Sequence, residues 1–218
     1  MKIRRFLIAP SLVRLLRLEM PSSGRALEGY FAHNPDRIHF VSIEPGQSHL
    51  VMITPGLGTP TEERVEVPRA HAEALLDVCA GKIAYDQIKI GIEGGREVVL
   101  ECFMAPAALD LLTIRFEQDA EADAFMPPPW FGTEVSDVPG FQKHRFALGG
   151  PPERDEVPLS KAALDAILDL VERGRGISRR ELSSPLRPSP GLRVAESFRR
   201  RPLTTEAMPS QAPKALTS

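Results

Sequence analysis

The sequence predicts an α+β fold that is built on a mostly antiparallel sheet or barrel. Three observations indicate this class. At least seven segments alternate with a period of two, two segments have helical spacing, and short turn sequences separate the strands. With 218 residues, of which 42% are hydrophobic, the chain can form one domain with a sizeable core.

The stretch 28–43, EGYFAHNPDRIHFVSI, predicts the hairpin around which the other strands are arranged. Asn-Pro-Asp at 34–36 combines two capping side chains with the fixed φ of proline, which is typical of a turn. Beyond this turn, Arg37 and His39 alternate with apolar residues, so both are predicted to lie on one face of a strand. That face is either a solvated outer surface or a barrel interior lined with positive charge, and the hairpin alone leaves both open.

The remaining elements are predicted from the same periodicities. Further strands are expected at 3–9, 48–54, 62–68, 82–92, 96–104 and 110–118, and helices at 69–81 and 158–174. Gly94-Gly95 is a hairpin turn between two of these strands, and Ser160 is the predicted N-cap of the second helix.

Charge divides the chain into two segments of different character. Residues 1–172 hold 17 Lys and Arg against 26 Asp and Glu, whereas residues 173–218 hold 10 against 3. The second segment is also rich in proline and serine, so we expect a folded domain over 1–172 and a basic disordered tail over 173–218. The three arginines at 199–201 could contact nucleic acid, an anionic membrane or a protein, although a solvated tail without a partner is favoured.

The composition argues against several classes of protein. The two cysteines, Cys79 and Cys102, are not part of a Cys-x-x-Cys pair, which argues against a disulfide framework and a zinc site. No apolar stretch is long enough to span a membrane, and the basic N-terminus lacks a signal-peptide cleavage site. We therefore expect a cytoplasmic protein.

Several short segments follow one another in a recognisable order. They are RRFLI at 4–8, EGYF at 28–31, DRIH at 36–39, EVP at 66–68 and PWFGTEV at 129–135. In this order they resemble the CYTH domain, the triphosphate tunnel family that includes class IV adenylate cyclases, thiamine triphosphatases and inorganic triphosphatases. The resemblance covers residues 1–148.

The resemblance implies an eight-stranded antiparallel tunnel barrel with flanking helices. In the family, bases inside the tunnel clamp a linear triphosphate, and acids hold one or two Mg²⁺ or Mn²⁺ ions, in line with the preference of these ions for oxygen ligands. Carried over to this sequence, the phosphate contacts are Arg5, Arg37, His39, Lys89 and Arg115, and the metal ligands are Glu66 and Glu101.

Other acidic positions of the family are occupied by different residues in this chain. They fall on Met1, Ile3, Arg64, Thr113 and Arg115, so more bases than acids are predicted to face the tunnel. We therefore expect a domain that binds a polyphosphate or nucleotide-type anion and is catalytically degenerate. The alternative is a divergent metal-dependent triphosphatase, and no catalytic residue is assigned for either function.

Overall fold

The structure is a computed structural model, which describes residues 2–34, 36–56 and 60–182. It contains eight strands: β1 (Lys2–Leu7), β2 (Arg25–Tyr30), β3 (Ile38–Glu44), β4 (Gln47–Thr54), β5 (Thr61–Glu66), β6 (Gly81–Ile92), β7 (Arg96–Ala105) and β8 (Leu109–Phe116). The helices are α1 (Pro10–Glu19), α2 (Arg69–Asp77), α3 (Asp119–Ala124), α4 (Lys143–Gly149) and α5 (Lys161–Leu182). Two short 3₁₀ turns lie at Glu93–Gly95 and Pro139–Phe141.

All eight strands form one antiparallel sheet, which confirms the predicted fold class. The strand order is β1-β8-β7-β6-β2-β3-β4-β5. The hairpin of β2 and β3 lies in the middle of this order, between β6 and β4. The predicted turn around Gly94 is present, with Gly94 at a φ of 80°, a conformation that glycine adopts without steric cost.

The two faces of the sheet pack against different helices. The outer face carries Leu100 and Ile114, which share one buried cluster with Leu16 of α1 and Ile167 of α5. Another part of the outer face, on β3, packs beneath α2. The inner face carries the alternate side chains, and its buried cluster includes Phe146 of α4. Alternation along each strand therefore separates an apolar outer layer from the inner face.

The helices that cover the outer face begin where the sequence provides a start signal. Pro10 lies in the first turn of α1. Backbone N–H groups in this turn have no acceptor within the helix, so proline, which lacks an N–H, fits there without the loss of a hydrogen bond. At α5, the backbone N–H of Ala163 donates to Oγ of Ser160 (3.1 Å), which is the predicted N-cap bond. Helix α5 continues to Leu182, and the rest of the predicted tail, 183–218, lies outside the described residues.

In the part of the chain that the structure describes, no helix combines the length and the apolar character needed to cross a membrane.

Candidate functional site

Helix α4 packs against the inner face of the sheet and fills part of the space that the strands surround. The ring of Phe146 lies 5.3 Å from that of Phe103 in an edge-on arrangement, and Phe141 is buried in the same cluster. Helix and strand approach closely at Gly81, where a Cβ atom would lie 2.3 Å from the carbonyl oxygen of Ala147. The absence of a side chain at Gly81 is therefore what allows α4 to contact β6.

The first residue of α4, Lys143, extends its ammonium group into a cluster of buried acids. Its Nζ lies 2.8 Å from Oε1 of Glu101 on β7 and 3.2 Å from Oε1 of Glu28 on β2. It also donates to the hydroxyl of Tyr85 on β6 at 2.6 Å. An ammonium group has three N–H donors, so these three contacts match its full capacity.

The two glutamates are held by further hydrogen bonds from the inner face. The hydroxyls of Tyr30 and Tyr85 each donate to a different oxygen of Glu28, both at 2.5 Å. The hydroxyl of Thr113 on β8 donates to Glu101 at 2.9 Å. We call these six residues the carboxylate cluster: Glu28, Tyr30, Tyr85, Glu101, Thr113 and Lys143.

Electrostatics keep Glu101 and Lys143 charged although both are largely buried. Glu28 and Glu101 are only 6% and 4% exposed. Burial would raise the pKa of Glu101, but Lys143, Thr113 and Arg5 together hold it below its usual value. Burial would likewise lower the pKa of Lys143, but the two glutamates outweigh this effect and raise it. Glu101 and Lys143 therefore form a buried ion pair, in which each charge depends on the other.

Two arginines lie on the inner face beside this cluster, and we call Arg5 and Arg115 the arginine pair. Arg5 on β1 is opposite Thr113 on β8, and Arg115 follows two residues later on the same face. Burial lowers the pKa of Arg5, Glu101 opposes this effect, and the like charge of Arg115 lowers the pKa further. Within the described ranges, no carboxylate forms an ion pair or a hydrogen bond with either guanidinium.

Lys89 occupies the same face but a more solvated position. It is opposite Val99 on β7, which is itself opposite Thr113 on β8. Its Nζ lies 3.4 Å from Oε1 of Glu97, and both side chains are more than half exposed. Exposed pairs of this kind contribute little to stability, so Lys89 remains able to contact another anion.

No protein-family model matches the chain, and no curated protein matches it in sequence. Among solved structures, the inorganic triphosphatase NE1496 superposes with a TM-score of 0.50 at 20% identity, over 70% of this chain and 100% of that one. The chain has the triphosphate tunnel fold. Another structure of NE1496 gives a TM-score of 0.49 at 20% identity, over 67% and 96% of the two chains. The PH1012 protein of Pyrococcus horikoshii gives 0.40 at 12% identity, over 56% and 82%.

In this tunnel fold, Arg37 and His39 do not lie inside, which corrects the predicted placement. His39 is opposite Met52, whereas the neighbouring Phe40 is opposite Val51 and lies in the inner cluster. Arg37 precedes β3 and directs its Nη1 towards Sδ of Met52, at 3.8 Å. Both residues therefore belong to the outer set of side chains, because a shift of one residue exchanges the two faces of a strand.

The predicted metal ligands, Glu66 and Glu101, do not form a common site. Glu66 is exposed at the end of β5, and four strands separate β5 from β7 in the sheet. Glu101 is already bound by Lys143 and Thr113. The described residues include no group of three or more His, Cys, Asp or Glu that could hold a metal ion. This donor set does not fit a resident Mg²⁺ or Mn²⁺ ion held by Glu66 and Glu101.

Sequence reasoning missed most of the carboxylate cluster. Glu28 and Tyr30 lie two residues apart in the EGYF segment, so strand periodicity could have placed both side chains on one face. Lys143 had no comparable signal, because it lies 115 residues from Glu28 and on a helix of only seven residues.

Proposed function

We propose that this chain binds a polyphosphate-type anion, such as a linear triphosphate or a nucleotide, on the inner face of the tunnel fold, and that it hydrolyses this anion slowly or not at all. The observation that carries the proposal is the arginine pair. Arg115 is close enough to lower the pKa of Arg5, and although Glu101 acts on Arg5 in the opposite sense, no described carboxylate forms an ion pair or a hydrogen bond with either guanidinium.

An anion is the natural partner of this arrangement. Two like charges on a partly buried surface repel each other and lose part of their hydration, which costs free energy in the empty protein. A phosphate chain supplies negative charge along its length, and its oxygens match the forked donors of guanidinium groups. Lys89 lies on the same face and supplies a further cation. The structural neighbour NE1496 is described as an inorganic triphosphatase, which supports linear triphosphate as the first anion to test.

The carboxylate cluster argues against efficient metal-assisted hydrolysis. A metal ion at Glu101 would have to displace the ammonium group of Lys143, which lies 2.8 Å from that carboxylate. The sequence-based alternative, a metal-dependent triphosphatase that uses Glu66 and Glu101, therefore has less support. What remains on the inner face is a set of cations that bind and orient phosphate.

Replacing Arg5 with alanine is expected to weaken binding of tripolyphosphate by tenfold or more. A hydrogen bond to a charged group typically contributes about 1.5–3 kcal/mol, and Arg5 is the more buried member of the arginine pair. Isothermal titration calorimetry with tripolyphosphate measures the change. Thermal shift provides a second readout, because ligand at a hundredfold excess over Kd stabilises the folded protein by about 2.7 kcal/mol.

The matched control is Arg14→Ala, which removes an exposed arginine of α1. It should leave the affinity within twofold, and sulfate at equal ionic strength controls for general screening. If Arg5→Ala and Arg14→Ala lost affinity for tripolyphosphate equally, the anion would be attracted only by overall charge, and the proposed site would be wrong.

Triphosphate hydrolysis is expected to stay well below about 1 per second, the low end of typical turnover numbers. Removing one electrostatic contact to a reacting group commonly costs about a hundredfold or more in rate, and Lys143 occupies the carboxylates that a metal would need. Phosphate release from tripolyphosphate and nucleoside triphosphates, with Mg²⁺ and with Mn²⁺, tests this expectation. A faster turnover that Arg5→Ala abolishes would establish the enzymatic alternative.

A further inference from the structure

We propose that two copies of this chain associate edge to edge through β5, so that their two sheets join into one. Strand β5 is at one end of the strand order, and among the described strands it pairs only with β4. Every residue of β5 is exposed. The free edge of such a strand is a template for pairing with another chain. The inference does not involve the arginine pair and does not rest on the function proposed above.

The opposite edge of the sheet, at β1, is covered by the chain itself. The N–H of Leu7 donates to the carbonyl oxygen of Thr133 at 2.9 Å, and the N–H of Gly132 donates to that of Leu7 at 2.8 Å. The N–H of Val135 likewise donates to the carbonyl oxygen of Arg5 at 2.8 Å. No described segment pairs with the outer edge of β5 in this way. One edge is therefore closed, and the other is available to a partner.

The hydrogen bonds between β5 and β4 show which backbone groups point to the free edge. Just after β5, the N–H of Val67 donates to the carbonyl oxygen of Ser48 at 2.9 Å. Residues of an antiparallel strand alternate between bonding to the neighbouring strand and pointing away from it. Val65 therefore bonds to β4, whereas Arg64 and Glu66 direct their N–H and C=O groups away from β4. These groups can bond to a second strand.

Symmetry limits how β5 can pair with a second copy of itself. A two-fold axis between two antiparallel copies passes beside one residue, which is then opposite its own copy. Four of the six residues of β5 are charged, and any of them on the axis would place two like charges opposite each other. Thr61 is the first residue of the strand, so an axis there would leave little overlap. We therefore expect the register with Val65 on the axis.

Val65 would be the apolar centre of this interface. Its side chain is 61% exposed, and Leu50 opposite it on β4 is 36% exposed. Leu50 is in turn opposite Val41, which is buried beneath α2, so the apolar layer of this face extends to the free edge. Because Val65 bonds to β4, its two copies would form a non-hydrogen-bonded pair with Cα atoms about 4.5 Å apart. Their side chains would cover each other and lose contact with water.

Arg64 and Glu66 supply complementary charges on the other face of β5. Glu66 forms no side-chain ion pair or hydrogen bond within the described residues. Arg64 is paired with Glu62 of its own strand, but a guanidinium has five N–H donors and can bind a second carboxylate. With Val65 on the axis, Arg64 of each copy is opposite Glu66 of the other, so the favourable contact is made twice.

The length of the strand makes this dimer weak and reversible. Strand β5 has six residues, and Pro68, which has no N–H to donate, follows it directly before α2. Interfaces that bury less than about 1,200 Å² are typical of transient encounters. We therefore expect a dissociation constant on the order of 10–100 µM rather than a permanent dimer.

The test is sedimentation velocity of full-length protein at concentrations from about 1 µM to 1 mM, which bracket this dissociation constant. Arg64→Glu and Glu66→Arg should each weaken dimer formation tenfold or more, because each places like charges opposite each other at two positions. The double variant R64E/E66R should restore the dimer to within about threefold of the wild type, since it exchanges the charges and keeps both ion pairs. Circular dichroism verifies that every variant is folded.

The matched control is Arg14→Glu, which makes the same charge change at an exposed arginine of α1 and should leave the dissociation constant within twofold. Val65→Lys, which places two ammonium groups on the axis, should also abolish the dimer. A wild type that stays monomeric up to 1 mM would overturn the proposal, and so would an Arg64→Glu variant that dimerises like Arg14→Glu. If both single variants lost the dimer and the double variant did not regain it, Arg64 and Glu66 would not be opposite each other and this interface would be wrong.

Discussion

Lys143→Ala is expected to lower the free energy of unfolding by about 3–5 kcal/mol, because removing one partner of a buried ion pair leaves an uncompensated charge. In this chain the loss affects two carboxylates at once. Glu101 and Glu28 are almost completely buried, and Lys143 is the cation that contacts both. Urea denaturation of the wild type and the variant measures the difference. A typical domain is stable by only about 5–15 kcal/mol, so the variant should be markedly less resistant to urea.

The matched control for this substitution is Lys161→Ala, at an exposed lysine that begins α5. Such surface changes usually alter stability by less than about 0.5 kcal/mol. Adding Glu101→Gln to Lys143→Ala should recover part of the loss, because the amide removes the unpaired charge. If Lys143→Ala were as stable as Lys161→Ala, the carboxylate cluster would contribute no net stability and its ion pairs would be incidental.

Gly81→Ala is the second substitution with a large expected effect, of at least about 3 kcal/mol. The added Cβ would lie 2.3 Å from the carbonyl oxygen and 2.6 Å from the carbonyl carbon of Ala147, and both are backbone atoms. Overpacking usually costs about 1–3 kcal/mol, and it costs more where the neighbour cannot rotate away. Helix α4 would have to move from β6, which would also withdraw Lys143 from its acids.

Gly91→Ala tests the same chemical change on the same strand without the steric conflict. A Cβ at Gly91 has no neighbour within 4 Å, and β6 contains both glycines. We expect its stability to change by less than about 1 kcal/mol, since alanine in a strand reduces the freedom of the unfolded chain. Thermal unfolding measures the stability of both variants. If Gly81→Ala and Gly91→Ala lost similar amounts of stability, close packing of α4 on β6 would not be required for the stability of the fold.

Most of the fold could be predicted from the sequence, because its strands carry local signals. The alternation at 48–54 and at 96–104 corresponds to β4 and β7, and the glycine turn between β6 and β7 lies where the sequence placed it. The chain at 119–124 was acidic and rich in alanine without apolar periodicity, and it forms α3. Such a short helix is set by its packing rather than by its own sequence.

Which side chains of β3 point to the inner face could not be predicted, because both sides of this strand are apolar. Strand β3 buries apolar residues on both sides, with Phe40 in the inner cluster and Val41 and Ile43 beneath α2. A strand that is buried on both faces gives no polar alternation to fix which side chains point inwards. The family resemblance implied that Arg37 and His39 lie in the interior, but His39 pairs with Met52 on β4 and Arg37 contacts the same Met52, which assigns both to the outer set.

The candidate site was predicted only in part, because its residues interact across long separations in sequence. Arg5 and Glu101 were both identified, and the structure places them close enough for Glu101 to raise the pKa of Arg5. The partner of Glu101, however, comes from a loop and helix that follow the last strand. Neither periodicity nor spacing could have indicated that Lys143 would lie between two strands of the sheet.

The distribution of aromatic residues gives the protein two intrinsic optical probes, one on each side of the sheet. The chain contains one tryptophan and two tyrosines. Trp130 is buried in the outer cluster with α5, whereas Tyr30 and Tyr85 are on the inner face and both donate to Glu28. Tryptophan fluorescence therefore reports on the helical layer, and tyrosine absorbance reports on the interior of the tunnel. Loosening of α4 can be followed without labels, separately from unfolding of the outer core.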